Sequence, residues 1–190
     1  MRQNASKSIV LNSVFTCPDL KTHCKVMGKS KGTKWIGDYI SHDGKNKENI
    51  KKRVSIGMGT NTSIMVILKE TSLGIYYFVI AMILRETILM SSMLLNIEVW
   101  FAVTSEDVSK LEMVDKVLLR RVMEIGRGTP VCGIYLETGA IPISYLIKAR
   151  RIMFLHYLVS LDEKELLAQV YSTQKANPLK NDWCLQGLQF

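Results

Sequence analysis

The sequence predicts a mainly α fold, a small N-terminal β-hairpin followed by a bundle of five to six helices. Three observations carry that expectation. From about Asn46 onward, apolar residues recur at three- and four-residue steps over several long segments. Helix punctuation bounds those segments: "TSED" at 104–107, and Pro130 and Pro142 where first helical turns would fall. Only residues 25–41 read as short extended segments around glycines. With 190 residues the chain has the length of one domain, or of one domain with a small appendage. Its 47% hydrophobic content is enough to bury a core.

Taken in order, residues 1–20 show no period and end in "CPDL", a turn signal, and read as an irregular segment. Residues 21–42 read as the hairpin, its two arms placed around "GKSKGTK". Residues 43–174 form the helical region. In its first helix Ile50, Val54, Met58, Asn61, Met65 and Leu68 make one stripe, with Lys47, Lys51, Lys52 and Arg53 mostly off it. Gly57 and Gly59 each cost about 1 kcal/mol there relative to alanine, so a kink or break is expected. Residues 75–101 are apolar nearly all round, the pattern of a helix at the centre of a bundle. Thr104 and Asp107 form a capping box. The helix it opens carries Val108, Leu111, Val114, Leu118, Val122 and Ile125 on one face. Shorter helices near 130–137, 142–160 and 162–174 follow, and "ANPLKNDW" opens an irregular tail over 175–190.

The formal charge of +8 is concentrated at one end. Residues 1–53 hold twelve Lys/Arg against four Asp/Glu, and the rest of the chain balances at thirteen of each. Such a basic block faces a polyanion, or else is a solvated arm. Cys17, Cys24, Cys132 and Cys184 show no C-x-x-C spacing, and Cys17, His23 and Cys24 lack a fourth ligand at matching spacing. Free thiols in a reducing, intracellular compartment are the expectation, and the N-terminus has no secretory pattern. "GIYYFVIAMIL", 74–84, stops at Arg85-Glu86 after eleven residues, short of the roughly 20 that cross a bilayer. A buried soluble helix is expected, with a membrane-associated or helical interaction protein anchored by 74–103 as the alternative.

Catalytic patterns are absent. No nucleophile elbow, H-E-x-x-H or Walker loop occurs, and "GKSKG" at 28–32 lacks the leading glycine of a phosphate loop. His156 in "FLHYL" reads as a packed helix histidine. No adjacent Asp-Asp pair exists to hold two metal ions for phosphoryl transfer. The reading is a non-enzyme with no cofactor and no small-molecule substrate.

One long segment resembles a known family. "KWIGDYISHDGKNKENIKKRV", 34–54, is similar to the region after the catalytic palm in reverse transcriptases of non-LTR, LINE-type retrotransposons. There a Tyr-Leu-Gly turn forms the primer-grip hairpin and a basic helical segment follows. The resemblance continues in the family's order through "YYFVIAMILRETILMSSMLLNIEVWF", "LEMVDKVLLRRVM", "TPVCGIYLETGAIPISYLIKARRIMFLHYL" and "NPLKNDW", covering about residues 21–183. "LKTHCKVM" resembles the strand before the grip. The departures are Trp35-Ile36-Gly37 for Tyr-Leu-Gly, Val79 for a glutamate, and no Phe/Tyr-Ala-Asp-Asp box upstream.

The resemblance implies a truncated, non-catalytic primer-grip, thumb and connection region whose partner is an RNA or DNA primer-template. It implies that Lys34, Lys45, Lys47, Lys51, Lys52 and Arg53 supply charge to phosphates, Gly37 the turn, and Trp35 an apolar contact at a primer end. A thumb without its palm also exposes a former interface, so self-association through apolar surface is expected.

Overall fold

The computed structural model describes six strands within 9–41 and the chain over 46–71, 74–100 and 103–176. Two compact units, 1–49 and 50–190, are taken in turn.

In the first unit, β1 (Ile9–Leu11) pairs in parallel with β4 (Gly28–Ser30), and β2 (Lys21–Thr22) pairs antiparallel with β3 (Lys25–Val26). A hairpin joins β5 (Gly32–Trp35) to β6 (Asp38–Ser41), with Gly32 opposite Ser41 and Trp35 opposite Asp38. The hairpin is therefore later than the sequence suggests. "GKSKGTK" is not its turn: that stretch supplies β4 and most of β5, and the register leaves only 36–37 between the paired strands. Segment 1–20 also contributes a strand where none was expected. The physical reason is that glycine-rich strands pair through the backbone alone, so their register has little side-chain signature.

Beyond the strands the described residues are mainly helical, as the periodicity predicts. The elements are α1 (Lys47–Glu70), α2 (Tyr77–Leu84), a π-helical stretch (Arg85–Met90), α3 (Ser91–Met93), α4 (Ser105–Val122), α5 (Val131–Thr138), α6 (Ile143–Ser160) and α7 (Leu166–Ala176). Counting Tyr77–Met93 as one rod gives six helices. Thr104 caps α4 as expected: its hydroxyl accepts from the Asp107 N–H, and the Asp107 carboxylate accepts from the Thr104 N–H. Gly139 ends α5 at φ 63°, a conformation an L side chain resists. The main core joins Ile50, Ile64 and Leu68 of α1, Leu89 and Met93 of the rod, Leu111, Val114 and Leu118 of α4, and Ile143 and Ile147 of α6.

Two helix expectations need correction. First, α1 runs unbroken through Gly57 and Gly59. A Cβ at Gly57 would lie 2.9 Å from Val114 Cγ1 and 2.8 Å from Met93 Cγ, whereas one at Gly59 meets nothing within 4 Å. Gly57 lets the rod and α4 approach closely, and the buried stripe passes through Arg53, Gly57 and Asn61, leaving Met58 37% exposed. Gly59→Ala should stabilise by about 0.5–1 kcal/mol through helix propensity. Gly57→Ala should lose that gain and cost about 1–3 kcal/mol by overpacking. Urea melts read both; equal shifts would rule out the close-approach role of Gly57.

Second, the Tyr77–Met93 rod is not buried all round. Ala81, Arg85, Leu89 and Met93, at four-residue steps, face inward, while Val79, Ile83 and Ile88 are exposed. Gly74–Met93 is one segment, among the described residues, long and apolar enough to cross a membrane, and only 22% of it is buried. His156 is likewise exposed rather than packed.

Candidate nucleic-acid interface

Residues 38–49 connect the hairpin to α1 through Asn49. Its Oδ1 accepts from the Tyr39 N–H at 3.2 Å, and its Nδ2 donates to Asp38 Oδ1 at 3.3 Å. Asn49 is buried. The side chain thus ties β6 to the first turn of the helix, holding strand and helix start together where free ends would fray. In the polar run 46–52 the sequence does not single out Asn49; its place beside Ile50 on the inward face of the helix is the available signal.

Along α1, Lys47, Lys51 and Lys52 are exposed. Lys47 opens the helix, at the positive end of its dipole, where a cation is disfavoured by roughly 0.3–1 kcal/mol, and Lys51 and Lys52 follow one turn later, where that effect has largely fallen off. Glu48 in the first turn offsets part of this. Helix stability therefore does not account for the lysines. An anion drawn to the same end of the helix would, since dipole and side chains then act with the same sign.

Arg53 departs from this picture. It is buried, donates from Nη1 to the Ser92 carbonyl at 2.8 Å, and lies 5.9 Å from the Trp100 ring centroid. Ser92 sits at the end of the rod, where helical carbonyls lack intrahelical partners. Arg150 of α6 caps the neighbouring Leu94 carbonyl at 2.9 Å. Arg53 is thus a helix-end cap inside the core, and its burial, contrary to the sequence expectation, leaves it no place among the phosphate-facing cations. Lys34 and Trp35 lie in β5, opposite Tyr39 and Asp38. Gly37 and Lys45 fall outside the described residues.

The largest polar feature was not foreseen. Arg85 and Asp115 are fully buried and form a two-pronged pair, Nε to Oδ1 at 2.7 Å and Nη2 to Oδ2 at 2.8 Å. Nη2 also donates to the Ile141 carbonyl at 3.0 Å, Nη1 to the Glu86 carboxylate, and the Tyr135 hydroxyl donates to Asp115 Oδ2 at 3.3 Å. Burial pushes the Arg85 guanidinium down, but hydrogen bonds and charge from Asp115 outweigh it and hold the group above its ordinary value. Burial, then the charge of Asp115, raises the Tyr135 hydroxyl. The π-helical stretch begins at Arg85, and a wide turn there is a usual accompaniment of an inserted functional or structural side chain. Every prong of the guanidinium is used, so the cluster joins the rod, α4, α5 and the 139–142 connection rather than offering a free group to a ligand.

Cys132 is exposed with a free thiol, and no group of three His, Cys, Asp or Glu side chains converges among the described residues. No family model, no curated protein and no solved structure matches this chain.

Proposed function

We propose that the chain is a primer-grip, thumb and connection region like that of non-LTR retrotransposon reverse transcriptases, and that it binds nucleic-acid backbone without catalysing nucleotide transfer. One observation carries the reading: a β5–β6 hairpin whose strands are separated only by 36–37 is followed by a helix with Lys47, Lys51 and Lys52 all exposed, Lys47 against the helix dipole. That arrangement supports the use of the basic block on a polyanion over a solvated arm, because it costs helix stability and an anion recovers it. Val79 also fits. It lies on the exposed side of the rod, where the glutamate of the resembling family would be solvated at no cost. The lack of any adjacent aspartate pair in the sequence supports the non-catalytic half of the reading.

The membrane-anchor alternative fares worse. Inserting the rod would carry Arg85 into hydrocarbon together with its α4 partner Asp115, at about 2.5–3.5 kcal/mol for each charge.

Salt-dependent fluorescence anisotropy tests the proposal. With all three lysines replaced (Lys47→Ala, Lys51→Ala, Lys52→Ala), affinity should fall for every sequence alike and the slope of log K against log salt should flatten by about two to three units. Trp35→Ala should leave the slope unchanged and cost about 1–3 kcal/mol through lost base stacking. An unaltered slope in the folded triple variant would make the lysines a solvated face.

A further inference from the structure

The far end of α1 holds a second basic feature. Met65 and Lys69 of α1, Tyr77 at the start of α2, and Arg121 and Glu124 at the end of α4 line an open cleft of about 460 Å³. Met65 and Tyr77 are half-buried and pack on the main core, so they form an apolar and aromatic floor. Lys69 and Arg121 are exposed, and among the described residues neither joins an ion pair. Lys110 and Lys116, by contrast, each bond a glutamate one turn away. Glu124 is the single acid in the lining, held at φ 55°.

A cation in the last turn of a helix suits the dipole, and that alone would explain each residue separately. It does not explain why two cations from different helices, neither in an ion pair, line one cleft together with a tyrosine. Nor does it explain their alignment with the other basic site. Lys69 follows Lys51 by eighteen residues, five turns at about 3.6 residues each, so both project from the same side of α1. Between them on that side stand Ser55, Met58, Thr62 and Met65, none of them acidic. The only acids in α1 are Glu48 and Glu70, at its two ends.

We propose that this cleft is a second phosphate-binding foothold, so that a nucleic-acid strand lies lengthwise along α1, with one phosphate group at Lys51 and another at Lys69 and Arg121. The proposal rests on the nucleic-acid reading above. At about 1.5 Å per residue the two footholds are roughly 27 Å apart, the length of about 8 base pairs at about 3.4 Å each. Tyr77 offers its ring to the sugar or base beside the bound phosphate, and Glu124 weakens the site by its like charge to the ligand.

The test uses the full chain and two labelled DNA hairpins, with stems of about 4 and about 14 base pairs, the shorter unable to span both footholds. The double variant Lys69→Ala, Arg121→Ala should bind the long stem about tenfold or more weakly, with a salt slope lower by about two units, and bind the short stem as before. Glu124→Gln should tighten long-stem binding. Both replaced cations are exposed, so thermal melts should show wild-type folding; Lys69→Gln alone, with half the slope change, guards against misfolding of the pair. Two failures are distinguishable. If wild type binds and replacing Lys51 and Lys52 flattens the slope while replacing Lys69 and Arg121 does nothing, the lengthwise track is wrong and the nucleic-acid reading stands. If wild type binds neither stem, both fall together.

Discussion

Asp115→Asn should lower the unfolding free energy by about 3–5 kcal/mol. The carboxylate has no exposure and receives two bonds from the equally buried Arg85 and one from Tyr135. The amide keeps the shape but cannot balance the guanidinium, whose remaining charged partner, Glu86, is half-exposed. What is lost is compensation for a desolvated cation, not merely a hydrogen bond. Replacing both partners, Arg85→Met with Asp115→Leu, removes the charges together and should recover most of the loss. Urea melts followed by circular dichroism provide the four corners of that cycle. A single-variant loss under about 1 kcal/mol would mean that the pair is solvated in the folded protein. A pH signature accompanies it. Burial and the Asp115 charge raise the Tyr135 hydroxyl, so its contribution is complete below the ordinary tyrosine value near about 10 and lost as pH rises past it. In Asp115→Asn that alkaline loss should shrink.

Arg53→Ala should cost roughly 2–4 kcal/mol, from a charge-assisted hydrogen bond to the Ser92 carbonyl and the stem and ring contacts around Trp100. Lys51→Ala and Lys52→Ala, two positions and one position earlier on the same helix, should each stay within about 0.5 kcal/mol. Binding should separate the residues in the opposite sense. Under conditions where every variant is folded, Arg53→Ala should keep the wild-type salt slope while the lysine variants flatten it. Arg53→Lys should recover little, because an ammonium lacks the planar group that lies beside the indole. A flattened slope for Arg53→Ala at full stability would return the residue to the phosphate-binding surface.

The contrast among these neighbours shows where sequence reading stops. Lys51, Lys52 and Arg53 look alike in a basic run, and periodicity puts them mostly off the apolar stripe. The stripe was drawn through Val54 and Met58 because they are apolar. Ile50, Asn61 and Leu68 of that stripe do face inward, but between them the buried line passes through Arg53 and Gly57 rather than Val54 and Met58. Periodicity supplies the repeat of a helix but not its phase against a partner. That phase is set here by a close approach at Gly57, by the helix-end carbonyl of Ser92, which Arg53 supplies with a donor at 2.8 Å, and by Asn61, whose amide adds a second bond to the mid-helix Val114 carbonyl at 2.8 Å.

By itself the sequence determined the fold class, most helix boundaries and the location of the charge. These follow from local causes: a capping box at Thr104 and Asp107, prolines before α5 and α6, glycine at the end of α5, and a count of lysines. Only the tertiary structure decided which charges are available to a ligand. Arg85 and Asp115 stand thirty residues apart, each an ordinary polar residue in its own helix, and become a buried pair only when the rod, α4 and α5 are packed together. The physical reason is range. Caps and turns are settled within a few residues by the backbone's own unsatisfied groups, whereas desolvation of a charge depends on every element that closes over it.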